Sequence, residues 1–421
     1  MRDHPLRQRL DEELHSRPSL PVRPPARILH LALLDPASER LRTAFATFCA
    51  RNALPVPAEG ARQAVVELGT QRLKWERHGE FGTLTLVGSW PEDLLDPLAA
   101  PPGLLLEITK GLGPIRLAAA DVRLVSDGGE PAAQLVERFF GHDDVAAAFV
   151  AGGTARLLTD FRTGPEGFTR YLLLDRELTA ARAGRTVRRL CEIDTYRMLA
   201  MLAYPLAQEQ APAIGRLEQQ LHEVLDDMAA ASGPVAERAL LERITGLSRE
   251  VERLIDAQAF RFAAARAYHR IVQQRLVELQ ERSISGFQRP TPFLDRRLGP
   301  AMATCLATER RLETLAQRLA RATDLLRTRV DVALEAQNQE VLAGMAERAK
   351  AQLRLQETVE GLSVVAISYY ALSVLAKVVE PVASHLFGMD EAVVVAVLAP
   401  IVVAVVWLGL RRIRRRIARG A

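Results

Sequence analysis

Cysteine is scarce. The 421-residue chain has three, Cys49, Cys191 and Cys305, far apart and odd in number. They form no CxxC and no zinc spacing, so neither a disulfide framework nor a structural zinc is expected. Reduced, buried thiols are expected instead. Aromatic residues make up 5% and are scattered, which argues against a basic face with interleaved aromatics and so against nucleic acid as a partner. Charge of one sign is lacking too, since 55 basic against 51 acidic residues leave a formal charge of +4. Much of that excess sits in one tail, "RRIRRRIAR", at 411–419. The N-terminal stretch "MRDHPLRQRLDEELHSRP" has no apolar core, so no secretory signal is expected. There is no Walker A loop, GxGxxG, HExxH or GxSxG. No nucleophile–base pair or ligand cluster is legible either, so no enzyme and no resident cofactor is expected. Gly152-Gly153 and "RTGPEG" (162–167) are isolated glycine signals and read as turns.

Long apolar runs are what the chain does have. Leu362 to Val379, "LSVVAISYYALSVLAKVV", carries one charge near its end, and Ala392 to Leu410, "AVVVAVLAPIVVAVVWLGL", carries none. At about 1.5 Å rise per residue such runs match a hydrocarbon core of about 30 Å. Lys377 can snorkel, Pro400 is tolerable in a membrane helix, and Trp407 suits an interfacial anchor. Arg348, Lys350 and Arg354 precede the first run, and the arginine cluster follows the second. The connection between them holds Lys377 against Glu380, Asp390 and Glu391. The expected topology is a two-span protein of the bacterial inner membrane, with the lipid bilayer as partner and both termini cytoplasmic.

The remainder divides in two. Residues 1–175 mix strand signals ("ARILHLALL", "AVVEL", "RLKWERH", "TLTLVG", "IRLAAADVRLV", "TRYLLLD") with helix signals ("SERLRTAFATFCARN", "AAQLVERFFG"), which predicts a cytoplasmic α/β domain with a central sheet. Residues 176–361 read as helices broken near Gly233-Pro234 and over 283–300. The last of these helices starts near Pro300 and runs into the first span as a stalk. Its Leu312, Leu315, Leu319, Ala322, Leu326 and Val330 step by three and four, a coiled-coil-like seam expected to be buried against helices of this and other subunits. The fold class expected is α+β, with the transmembrane hairpin over 362–410 and the basic cytoplasmic tail over 411–421.

Three stretches, "HPLRQRLDEELHSRP" (4–18), "RLKWERHGEF" (72–81) and "LLRTRVDVALEAQNQ" running on to "LRLQETVEGLSVVAISYY" (325–370), resemble a bacterial family of uncharacterised membrane-anchored proteins. That likeness covers nearly the whole chain and implies a membrane location without an activity. The order of parts also resembles the CorA-type magnesium and cobalt transporters, whose homopentamers line a pore with the stalk and first span. The resemblance implies self-association, up to a pentamer, and Mg²⁺ or another divalent cation as the transported ion. In that family a GMN tripeptide closes the first span. The nearest match here is Gly388-Met389-Asp390, with Asp390 in place of the asparagine and the motif directly against the second span; the other reading is a turn in which Asp390 caps the second span's N-terminus.

A polar stripe bears on that implication. At about 100° per residue, Asp324, Asp331, Asn338, Gln352, Gln356, Ser363, Tyr370 and Lys377 fall within one strip of a helix, with Leu334 and Val341 interrupting it. These are the candidate pore-lining residues; otherwise they hydrogen-bond neighbouring helices. Lys377 at the outer mouth opposes cation entry. Two functional readings therefore stand. One is passage of divalent cations. The other is a non-conducting, membrane-anchored scaffold or sensor whose cytoplasmic domain binds a partner.

Overall fold

A computed structural model describes the chain except for residues 1–3, 5, 9, 12–17, 36–38, 90–93, 97–102, 114, 232, 388–390 and 418–421. It is α+β and falls into two compact units, residues 1–230 with 242–323, and residues 231–241 with 324–421.

The first unit is built on a sheet. Its strands are β1 (Ala26–Leu34), β2 (Gln63–Leu68), β3 (Gln71–Arg77), β4 (Phe81–Gly88), β5 (Arg116–Ser126), β6 (Ala146–Val150), β7 (Ala155–Thr163), β8 (Thr169–Asp175) and β9 (Arg282–Ser283). Their spatial order is β2-β3-β4-β1-β5-β8-β7-β6-β9. Neighbours are antiparallel except β5 and β8. Six of these strands coincide with the sequence signals to within two residues. The two glycine stretches are turns, with Gly152 at φ +73° before β7 and Gly167 at φ +80° before β8.

Central strand β1 is covered on both faces, which explains its near-continuous apolar sequence. Its odd-numbered Leu29, Leu31 and Leu33 join Trp75 and Leu84 under α1 (Glu39–Arg51) and α2 (Leu104–Thr109). On the other face Ile28 and Val87 pack with Val187, Leu190 and Cys191 of α4 (Ala180–Met201). Helix α3 (Ala132–Phe139) covers β6, β7 and β8 through Leu135, Val136 and Phe139.

Helices α5 (Ala203–Ala230), α6 (Pro234–Glu278) and α7 (Pro290–Phe387) follow. Ala203, Ala207, Phe262, Ala265 and Cys305 of these three form one cluster, and Arg311–Glu218 and Arg266–Glu309 ion pairs flank it. The expected break near Gly233 is present. A further one falls at Leu202, with Pro205 in the first turn of α5, where its missing N–H costs nothing. The break expected over 283–300 is shorter. Helix α7 begins at Pro290 and passes through Pro300 because Phe293, Leu294 and Leu298 bury against the sheet's core cluster. The seam residues Leu312, Leu315, Leu319, Ala322 and Leu326 are all buried within the single chain. All three cysteines are free and buried.

The second unit contains residues 324–387 of α7 and helix α8 (Glu391–Ile417). Gly388, Met389 and Asp390 lie outside the described residues.

Candidate functional site

Asp324, Asp331, Asn338, Gln352, Gln356, Tyr370 and Lys377 are exposed on α7, and Ser363 is half-buried. Ser363 Oγ donates to Val359 O of its own helix at 2.9 Å. Positions seven residues apart stand about 10 Å from each other along a helix. Apart from Gln352 and Gln356, one turn apart, a single chain does not bring these groups together. Among the described residues no three His, Cys, Asp or Glu side chains cluster as a metal site.

Two stretches, one in α7 and one over Val395–Arg412 in α8, are long and apolar enough to cross a bilayer, and only 11% and 6% of them is buried in protein. A core helix of a soluble fold would be mostly covered, so these two helices are consistent with membrane association. Among the described hairpin residues Ser368 and Val402 are buried. Beyond them the Arg411 guanidinium stacks 4.8 Å from the Trp407 ring centroid.

A different site emerges in the first unit. Strand register sets Thr85 between His30 and Lys74, and Thr83 between Ala32 and Glu76. Because side chains alternate, this whole row points to the face opposite Leu29, Leu31 and Trp75. The row lies under α4, which presents Arg188, Glu192 and Thr195 to it around a cavity of about 70 Å³. A water needs about 10–15 Å³ of such space, so several small polar atoms fit.

The cavity's polar groups are placed with care. His30 is buried, its Nδ1 2.8 Å from Thr85 Oγ1 and its Nε2 3.1 Å from Thr195 Oγ1. Lys74 Nζ donates to Pro18 O and meets Glu76 Oε1, each at 2.8 Å. On the facing helix Arg188 Nε donates to Glu192 Oε1 at 2.7 Å, and Arg275 pairs with the same carboxylate. Burial opposes ionisation of Glu76, but Lys74 outweighs it and holds the carboxyl below its ordinary range. The Thr83 hydroxyl is buried without a hydrogen-bond partner. Residues Ser19 to Val22 close one side as a strap. Val22 N donates to Ala180 O at 3.0 Å, Arg72 donates to Pro21 O, and a Cβ on Gly184 would overlap Leu20 O.

Against known proteins, the family described as "Protein of unknown function (DUF3422)" matches residues 2–417. The chain belongs to this family. Membership extends over the sheet unit and the apolar hairpin alike, as the three resembling stretches imply. No curated protein matches the chain.

The cavity residues were not legible as a site, because His30, Lys74, Glu76, Thr85 and Thr195 meet only through strand register and helix packing. One signal was present. In "RLKWERH" the alternation puts charge on both sides of Leu73 and Trp75 in an expected strand.

His30 also makes a pH prediction. Burial lowers its pKa from the ordinary 6.5, against the opposing pull of Glu76, Asp194 and Glu192, while Lys74 adds to the lowering. With the folded value below the unfolded one, the unfolded chain takes up the proton first as pH falls. Stability contributed by neutral His30 is therefore complete above about pH 6.5 and declines below it. Thermal midpoints measured from about pH 7.5 down to about pH 5.5 should fall more steeply for the wild type than for His30→Gln. Parallel curves would contradict it.

Proposed function

We propose that this protein is a membrane-tethered binding protein, whose sheet unit takes a small polar ligand in the cavity beneath α4. The α7–α8 hairpin anchors it, crossing the inner membrane twice with both termini in the cytoplasm. The observation that carries the reading is the cavity itself: two ion pairs, a buried histidine and an unpartnered Thr83 hydroxyl line one partly open space. Burying charge is costly, and a fold that needed only a core would fill this face with apolar side chains, as it does on the opposite face of β1. This is the sensor or scaffold reading, with no catalytic step assigned.

A thermal-shift screen of the full-length protein in nanodiscs against small polar metabolites tests it. Stabilising compounds are expected, and their effect should vanish in Cys191→Phe, which fills the cavity. No hit, or hits unchanged by the filled cavity, would sink the reading.

A second reading, divalent cation passage by a homo-oligomer on the CorA plan, is favoured by one observation. Ser363, Tyr370 and Lys377 lie about 140° or more around α7 from buried Ser368, on the face left for another subunit or a pore. In reconstituted liposomes Lys377→Asn should then raise magnesium or cobalt flux and Ser363→Leu lower it. Vesicles of wild type and Lys377→Asn that both stay tight would leave the tether alone.

A further inference from the structure

We propose that the ligand of the cavity under α4 is a small zwitterion, an α-amino acid of about the size of glycine or alanine, bordered on one side by the Ser19–Val22 strap. The proposal rests on the reading of that cavity as a ligand site. Charge balance carries it. Among the lining residues Lys74 and Arg188 supply two positive charges and Glu76 and Glu192 two negative ones. A free anion or a free cation entering this space meets as much repulsion as attraction. A molecule with both charges gains at each end, provided that its two ends face opposite partners.

The geometry offers that arrangement. The Lys74–Glu76 pair stands on β3 and the Arg188–Glu192 pair on α4 facing it, with His30 on the sheet side, in the same row as Thr85 and Lys74. Arg188 acts on Glu76 across the space. A carboxylate accepts about four hydrogen bonds, so Glu76 and Glu192 can each take a guest's donor beside their present cationic partners. The Thr83 hydroxyl, buried and unpartnered, supplies a further contact beside Glu76. Size sets the other limit. About 70 Å³ is less than half of a cavity of about 150 Å³ that admits benzene, so a long side chain does not fit.

The strap forms one side of the site. It is pinned by Lys74 to Pro18 O, by Arg72 to Pro21 O and by the Val22 amide to Ala180 O. Lys74 thus belongs to both the strap and the ligand site. A ligand carboxylate that reaches Lys74 competes with Pro18 O, and the closed complex shields the Val22 amide.

Calorimetric titration of full-length protein in nanodiscs tests the class, with glycine and alanine against acetate, methylammonium and glycerol. The zwitterions should bind at least about tenfold more tightly than either half-charged probe, the worth of one charge-assisted hydrogen bond. Glu192→Gln should remove that advantage. Acetate, methylammonium or glycerol binding as tightly as alanine would overturn the zwitterion. So would binding of none of the five, and if the metabolite screen still gives hits lost in Cys191→Phe, the site itself survives. Hydrogen exchange at Val22 reads the strap. Alanine should slow it several-fold in the wild type, and Gly184→Ala, which collides with Leu20 O, should speed it. An unchanged Val22 rate on adding alanine would exclude the strap from the bound state.

Discussion

Asp121→Ala should cost about 3–5 kcal/mol of folding stability, a large part of the roughly 5–15 kcal/mol that a folded domain has. Asp121 on β5 accepts from Arg27 Nε at 3.0 Å and Nη2 at 2.8 Å, and from Arg123 Nε at 3.2 Å and Nη2 at 3.1 Å. All three residues are buried, and Arg27 stands directly opposite Arg123 across the β1–β5 ladder. Burial presses the Arg123 pKa down, with Asp121 holding against it and Arg27 adding to the fall. Without the carboxylate, two buried guanidiniums would face each other in the middle of the sheet without the group that bridges them. Arg123 would keep its bonds to the Leu94 and Asp96 carbonyls, and its packing 5.0 Å from the Phe139 ring centroid, but neither neutralises it. Asp121→Asn keeps an acceptor and should fall between wild type and alanine. Denaturant unfolding of detergent-solubilised protein measures the series. A loss below about 1 kcal/mol for alanine would mean that water reaches this cluster.

Arginines at Val397 and Val405 should remove α8 from the bilayer. Both valines are largely exposed, at 58% and 63%, in the apolar part of α8. An arginine near the middle of a span costs about 2.5–3.5 kcal/mol on insertion scales, and two exceed what one short apolar helix gains with certainty of insertion. Wild-type protein should stay in the alkaline carbonate pellet, whereas the double variant should shift to the supernatant or be degraded. Wild-type protein in the supernatant would overturn the anchor, and with it the tether.

The hairpin, the family and six of the nine strands were legible because each rests on a local period. Apolar runs, alternation along β1 or β8 and glycine turns are properties of neighbouring residues. Strands β6 and β7 escaped that reading. The "AAAFV" of β6 has little of the branched-residue signature of a strand, and it forms through pairing with β7 and β9. Pro300 predicted a helix start, yet the burial of Phe293 and Leu298 outweighed its missing donor. The seam from Leu312 to Leu326 was legible as buried, but the burial takes place within one chain. Only the tertiary structure decided the cavity. Lys74 and Glu76 are charges within a strand signal, and β4 and β1 set them beside Thr83, Thr85 and His30. Helix α4, more than a hundred residues further along the chain, then laid Arg188, Glu192 and Thr195 over them. Charge on a strand is a local fact, while its burial depends on which helix the fold places above it.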